Sequence, residues 1–145
     1  MNEASQTGDA GQAAAAKVVL LVDDDPLVLQ AYRGALQRRG YQVDTAADGL
    51  EAMKRMVSLK PGVVVLDLLM PKVEGKYVLK FIRSQAELKS TRVIVLSDAS
   101  LADAAQPALA LEPDFVFLKS ECTASLLADK IKELLGVADP SAPPA

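Results

Sequence analysis

Five short apolar runs punctuate the chain, at residues 18–22, 41–45, 63–66, 93–96 and 115–118, and each is followed by a stretch with helical spacing. Runs this short, rich in β-branched or aromatic residues, fit strands of a buried parallel sheet. After the first run, Val28, Ala31, Tyr32, Ala35 and Leu36 recur at three- and four-residue intervals and predict an inward helical stripe. Gly40, just past Arg38 and Arg39, supplies its stop. A second helix is predicted over about 49–58, before Lys60-Pro61-Gly62, and a third over about 75–84 with Tyr77, Val78, Phe81 and Ile82 inward. The fourth, over 100–110, is alanine-rich and contains Pro107, which removes a backbone donor. The fifth keeps Leu127, Ile131 and Leu134 on one face. Alternating strand and helix patterns of this kind predict an α/β fold: a doubly wound five-stranded parallel sheet with five helices covering both faces.

Composition trims the alternatives. A chain of 145 residues, 50% of them hydrophobic, can bury one core and is too short for two ordinary domains. Residues 1–16 carry no large apolar side chain beyond Met1 and are expected to be a flexible tail; 137–145 form a Pro/Ala-rich tail, leaving one domain over 17–136. The net charge of −3, with no basic cluster larger than Arg38-Arg39, argues against nucleic acid as a partner. No apolar run approaches the roughly 20 residues of a membrane span, and no signal-peptide pattern opens the chain. With one cysteine and no internal disulfide possible, a cytoplasmic location is expected. Histidine is absent, so carboxylates, hydroxyls and lysine must carry any chemistry.

The first strand pattern runs straight into Asp23, Asp24 and Asp25, three adjacent like charges that call for compensation. One reading is local: Asp25 caps a helix starting at Pro26 and the others face solvent. The other rests on convergence. Asp67, Ser97 and Lys119 each follow a predicted strand directly, and parallel strands place their carboxyl ends on one edge, where α/β sheets bind ligands. Magnesium binds through one or two carboxylates plus water and phosphate oxygens, so Asp24 and Asp67, with Asp23 acting through water, could supply the protein's share. An aspartate can also accept a phosphoryl group covalently, and the charge that develops needs a cation and donors such as Lys119 and Ser97.

The stretches VDDDP, LDLLMPKVEG, IVLS and FLK make the chain similar to the receiver domains of two-component response regulators, over about residues 17–135. The resemblance implies a flavodoxin-like strand order 2-1-3-4-5. It implies Mg2+ on Asp23 and Asp24, phosphorylation of Asp67, a backbone carbonyl ligand from Leu69, a phosphoryl contact from Ser97 and an ion pair from Lys119. It also implies a switch pairing Ser97 with position 116, where the family's usual Tyr or Phe is replaced by Val116. Ser120 stands where a proline usually follows the lysine, and Asp98 where a small residue follows the hydroxyl; Asp98 or Ser100 could equally cap the fourth helix. Leu69 and Ala99, non-polar beside the path of the hydrolytic water, imply a slowly hydrolysed phosphoaspartate.

The implied function is a single-domain response regulator, not an enzyme acting on a separate substrate. It would take its phosphoryl group from a histidine kinase or histidine phosphotransfer protein and signal to a downstream protein, as a monomer or a phosphorylation-linked dimer. Between Val93 and Leu118 lie Asp98, Asp103, Glu112 and Asp114 and no basic residue, which would suit a basic partner or be an ordinary solvated face. The alternatives are a pseudo-receiver that binds partners without phosphorylation, and a haloacid-dehalogenase-type phosphohydrolase, which Leu69 opposes because that chemistry wants an acid there.

Overall fold

The computed structural model describes residues 17–68, 75–97 and 112–136. Their order is β1 (Val18–Val22), α1 (Pro26–Arg38), β2 (Gln42–Ala46), α2 (Gly49–Leu59), β3 (Val63–Asp67), α3 (Gly75–Ser84), a 3₁₀ turn (Ala86–Leu88), β4 (Arg92–Ser97), β5 (Phe115–Leu118), a second 3₁₀ turn (Lys119–Glu121) and α4 (Ala124–Leu135). The strands form one parallel sheet in the order β2-β1-β3-β4-β5. The predicted helix over 100–110, both tails, Leu69, Asp98, Ala99 and Asp103 lie outside the described residues.

Side-chain alternation along the strands splits the interior into two layers. Leu20, Val22, Val64, Leu66, Val93 and Val95 face Ala52 and Met56 of α2 and Val78, Leu79 and Ile82 of α3. Val19, Leu21, Val63, Val65, Ile94 and Leu96 face Tyr32 and Leu36 of α1 and Leu127, Ala128 and Ile131 of α4. Val116 packs into the first layer, Phe115 and Phe117 into the second, as the alternation at β5 predicts.

Two helix faces differ from the sequence reading. Ala31 is exposed, and Leu29 and Tyr32 cover the core instead, because a methyl side chain gains little from burial. In α3 the stripe is Gly75, Val78, Leu79 and Ile82, which turns Tyr77 outward, 54% exposed; its phenol keeps water and its ring receives the Lys76 ammonium. Strand β2 begins at Gln42, not 41, since the Tyr41 amide donates to the Leu36 carbonyl and closes the corner from α1.

Helix starts follow their caps. Asp25 accepts from the Leu27 amide with Pro26 in the first turn, Asp48 accepts from Glu51, and Thr123 from Leu126. At the end of α2, Lys60 sits in the left-handed region, φ 47°, where an L side chain is strained. Lys60→Gly is therefore expected to stabilise the fold by about 0.5 kcal/mol, relief of strain outweighing the extra freedom of the unfolded chain. Urea titration measures this, and a lower midpoint would contradict it.

Candidate functional site

Register brings the acidic residues together. Val22 pairs with Leu66, so Asp23, one residue on, stands beside Asp67; Asp67 in turn pairs with Leu96, and Ser97 with Leu118. Asp67 and Ser97 are the last residues of their strands, one position earlier than a reading that places them just beyond. Asp67 shares the alternation of Val63 and Val65 and so turns toward the α1/α4 layer, whereas Ser97 follows Val93 and Val95 toward the α2/α3 layer.

Asp23 and Asp67 are almost completely buried, 2% and 1% exposed, while Asp24 faces solvent. One carboxylate oxygen from each of the three lies within 4.8 Å of the others. Asp23 uses Oδ1 to accept the Asp25 amide at 2.9 Å, which folds the acidic turn back on itself. Lys119, first residue of the turn after β5, sends its ammonium to Asp67 Oδ2 at 3.1 Å and to Asp23 Oδ2 at 3.0 Å. The second contact has the distance of an ion pair without the direction of a hydrogen bond, so Asp23 Oδ2 is the one buried side-chain oxygen or nitrogen among the described residues with no hydrogen bond.

Three carboxylates against one ammonium leave a formal excess of two negative charges at the sheet edge. A buried carboxylate oxygen that accepts no hydrogen bond, an exposed carboxylate as an entrance and an all-oxygen donor set fit a hard divalent cation. Behind the site, Gly75 closes in: its amide donates to the Leu68 carbonyl at 3.0 Å, and a Cβ there would lie 2.4 Å from the Asp67 carbonyl oxygen. That contact demands glycine.

Burial disfavours the Lys119 ammonium, but its two carboxylates outweigh this and push its pKa well up. Burial also raises the Tyr32 phenol and the Cys122 thiol. In all three the folded state holds the proton more tightly than the unfolded chain. Their contribution to stability is complete below the ordinary values of 9.0, 10.0 and 10.5 for thiol, phenol and ammonium, and is lost as pH rises past them. The urea midpoint should therefore fall between about pH 8 and about pH 11. A flat profile would contradict this.

The acidic stretch before β5 is partly spoken for. Asp114 pairs with Arg83 at 3.1 Å and Arg92 at 3.2 Å and accepts the Val93 amide at 2.7 Å, so it fastens α3 and β4 to β5. Sequence reasoning missed this, since both arginines lie outside the stretch. It also missed the hydrogen bond from Tyr32 Oη to the Cys122 carbonyl, 2.8 Å. No helix among the described residues is long and apolar enough to cross a membrane.

A family profile described as the response regulator receiver domain matches residues 19–132. The alkaline phosphatase synthesis transcriptional regulatory protein PhoP of Bacillus subtilis is 42% identical over 69 residues, covering 48% of this chain and 29% of PhoP. Response regulator MprA of Mycobacterium sp. (strain KMS) is 36% identical over 81 residues, covering 56% of this chain and 35% of MprA. The matched stretch thus spans about a third of these relatives' lengths. Among solved structures, response regulator TrrA of Thermotoga maritima, in complex with Mg2+ and BeF, has a TM-score of 0.70 at 32% identity, covering 81% of this chain and 97% of that one. Chemotaxis protein CheY4 of Vibrio cholerae has a TM-score of 0.74 at 28% identity with the same coverage.

Proposed function

The chain belongs to the response regulator receiver-domain family, and from that premise we propose that it is a phosphoacceptor. It takes a phosphoryl group onto Asp67 from a phosphohistidine in a histidine kinase or phosphotransfer protein. The observation that carries this reading is the buried Asp67 carboxylate held by Lys119 within reach of two further carboxylates. The Asp67 carboxylate attacks phosphorus, an O–P bond forms, and the P–N bond breaks with its electron pair returning to the donor imidazole. Lys119 exchanges part of its contact with Asp67 for a phosphoryl oxygen, and the Ser97 hydroxyl donates to another.

Asp23, Asp24 and Asp67, with the Leu69 carbonyl, would hold Mg2+. When bound, the ion neutralises charge on the transferring group. The TrrA complex with Mg2+ and BeF supports this for the same fold. The output of this chain is contact with a downstream protein, as monomer or phosphorylation-linked dimer.

Phosphorylation adds about −1.5 to −2 charges, and one hydrogen bond from Ser97 to that group contributes about 1.5 to 3 kcal/mol. Shifting a two-state equilibrium from 1:99 to 99:1 needs about 5.5 kcal/mol, so Lys119 and repacking must supply the remainder. Val116 lies in the same layer that Ser97 faces, and its small side chain limits how much repacking it can add.

Intact-mass spectrometry after incubation with acetyl phosphate tests the reading. The expected result is a magnesium-dependent gain of one phosphoryl group, absent from Asp67→Asn, that decays over minutes or longer. No gain would overturn it in favour of a phosphorylation-independent binding module, and decay within seconds would overturn the slow-hydrolysis expectation drawn from Leu69 and Ala99.

A further inference from the structure

Lys119 has to be held where it can meet two buried carboxylates, yet the residue after it, Ser120, does nothing to stiffen the chain. The turn it opens, Lys119–Glu121, is closed at its end by a long hydrogen bond from the Cys122 amide to the Lys119 carbonyl, 3.3 Å. Cys122 itself is extended, φ −88° and ψ 103°, and hands the chain to Thr123, which caps α4. The Cys122 carbonyl is therefore the junction between the lysine's turn and the last helix.

Tyr32 reaches that junction from across the fold. It lies on the inward stripe of α1, 8% exposed, packed in the same layer as Leu36, Cys122, Leu127 and Ile131. Its hydroxyl donates to the Cys122 carbonyl at 2.8 Å across a sequence separation of 90. A buried phenol needs such a partner, and this one leads to the chemistry.

We infer that Tyr32 is a positioning residue for phosphoryl transfer: through the Cys122 carbonyl it fixes the turn that carries Lys119 to Asp23 and Asp67. Electrostatics agree with the geometry. Besides burial and the Cys122 bond, the phenol is acted on by both the Asp23 carboxylate and the Lys119 ammonium, in opposite senses. The inference adds a residue on α1 to a site otherwise built at strand ends, and its kinetic arm rests on the phosphoacceptor reading.

Tyr32→Phe removes one oxygen and keeps the packing. The first readout needs no phosphorylation: relaxation of the Lys119 side-chain methylene by NMR in the full chain. The ε-carbon is expected to be ordered in the wild type and to approach surface-lysine mobility in Tyr32→Phe. The second readout is the acetyl phosphate reaction in Mg2+, expected to slow by about 2- to 10-fold, the range one net hydrogen bond allows. In a Lys119→Met background the same substitution should change the rate by less than about 2-fold, because the group it positions is gone. Unchanged Lys119 order in Tyr32→Phe, or equal slowing with and without Lys119, would overturn the inference and reduce Tyr32 to packing. If the wild type takes up no phosphoryl group, the phosphoacceptor reading fails while Lys119 order still decides the positioning role.

Discussion

Lys119→Met is expected to lower the unfolding free energy by about 3 to 5 kcal/mol in metal-free buffer, and to make what remains strongly dependent on magnesium. The Lys119 side chain is 17% exposed, whereas those of its partners Asp23 and Asp67 are 3% and 2% exposed. Methionine keeps most of the apolar stem and removes the charge, so two buried carboxylates and the nearby Asp24 face one another without a cation. That uncompensated repulsion is the cost, more than any lost packing. A bound divalent ion substitutes for the missing charge. At about 100 times its dissociation constant it returns roughly 2.7 kcal/mol. Urea unfolding of wild type and variant, each in chelator and in Mg2+, reads both parts. The stabilisation by magnesium should be larger in the variant, because Lys119 no longer competes for the same oxygens. An equal loss in both buffers would mean that the three carboxylates do not form a cation site.

Gly75→Ala is expected to cost about 2 to 3 kcal/mol and to slow phosphorylation even in the fraction that remains folded. The added Cβ would stand 2.4 Å from the Asp67 carbonyl oxygen and 2.6 Å from the Leu68 Cα. Both are backbone atoms, so no side-chain rotation relieves the overlap. Either α3 lifts away from the sheet, stretching the 3.0 Å bond from the Gly75 amide to the Leu68 carbonyl, or the end of β3 moves and takes the Asp67 carboxylate with it. Chemical denaturation gives the first effect and the acetyl phosphate reaction below the unfolding range gives the second. A change within about 0.5 kcal/mol, ordinary for a tolerant surface position, would show that the approach of α3 is not rigid.

Much of this architecture was legible in the pattern of the chain. Strands such as 63–66, Val-Val-Val-Leu, admit little else, and parallel pairing then forces Asp23, Asp67, Ser97 and Lys119 to one edge. The acidic triplet resolved into both of its readings at once: Asp25 caps α1, while Asp23 and Asp24 join Asp67. Helix faces were less legible where side chains are small or amphipathic. Ala31 and Tyr77 match an inward spacing without needing burial, and tertiary packing chose Leu29 and Leu79 instead.

What no local pattern could reveal were contacts between distant elements. Asp114 looks like an unpaired acid until Arg83, 31 positions away, folds onto it. The Tyr32 bond to Cys122 ends on a backbone carbonyl, which every residue has, so neither partner carries a signature. The approach of Gly75 to Asp67 was visible only as a spacing in the receiver-like motif; the reason for glycine became clear once α3 was placed.

The central claim, a phosphoryl group carried on Asp67, is tested most directly by trapping the acyl phosphate with borohydride after reaction with acetyl phosphate in Mg2+, then sequencing the peptides by mass spectrometry. Reduction converts a phosphorylated aspartate to homoserine and leaves free carboxylates unchanged. The predicted result is homoserine at position 67 alone, and only when magnesium is present. Homoserine at position 23 or 24, or none anywhere, would contradict the account.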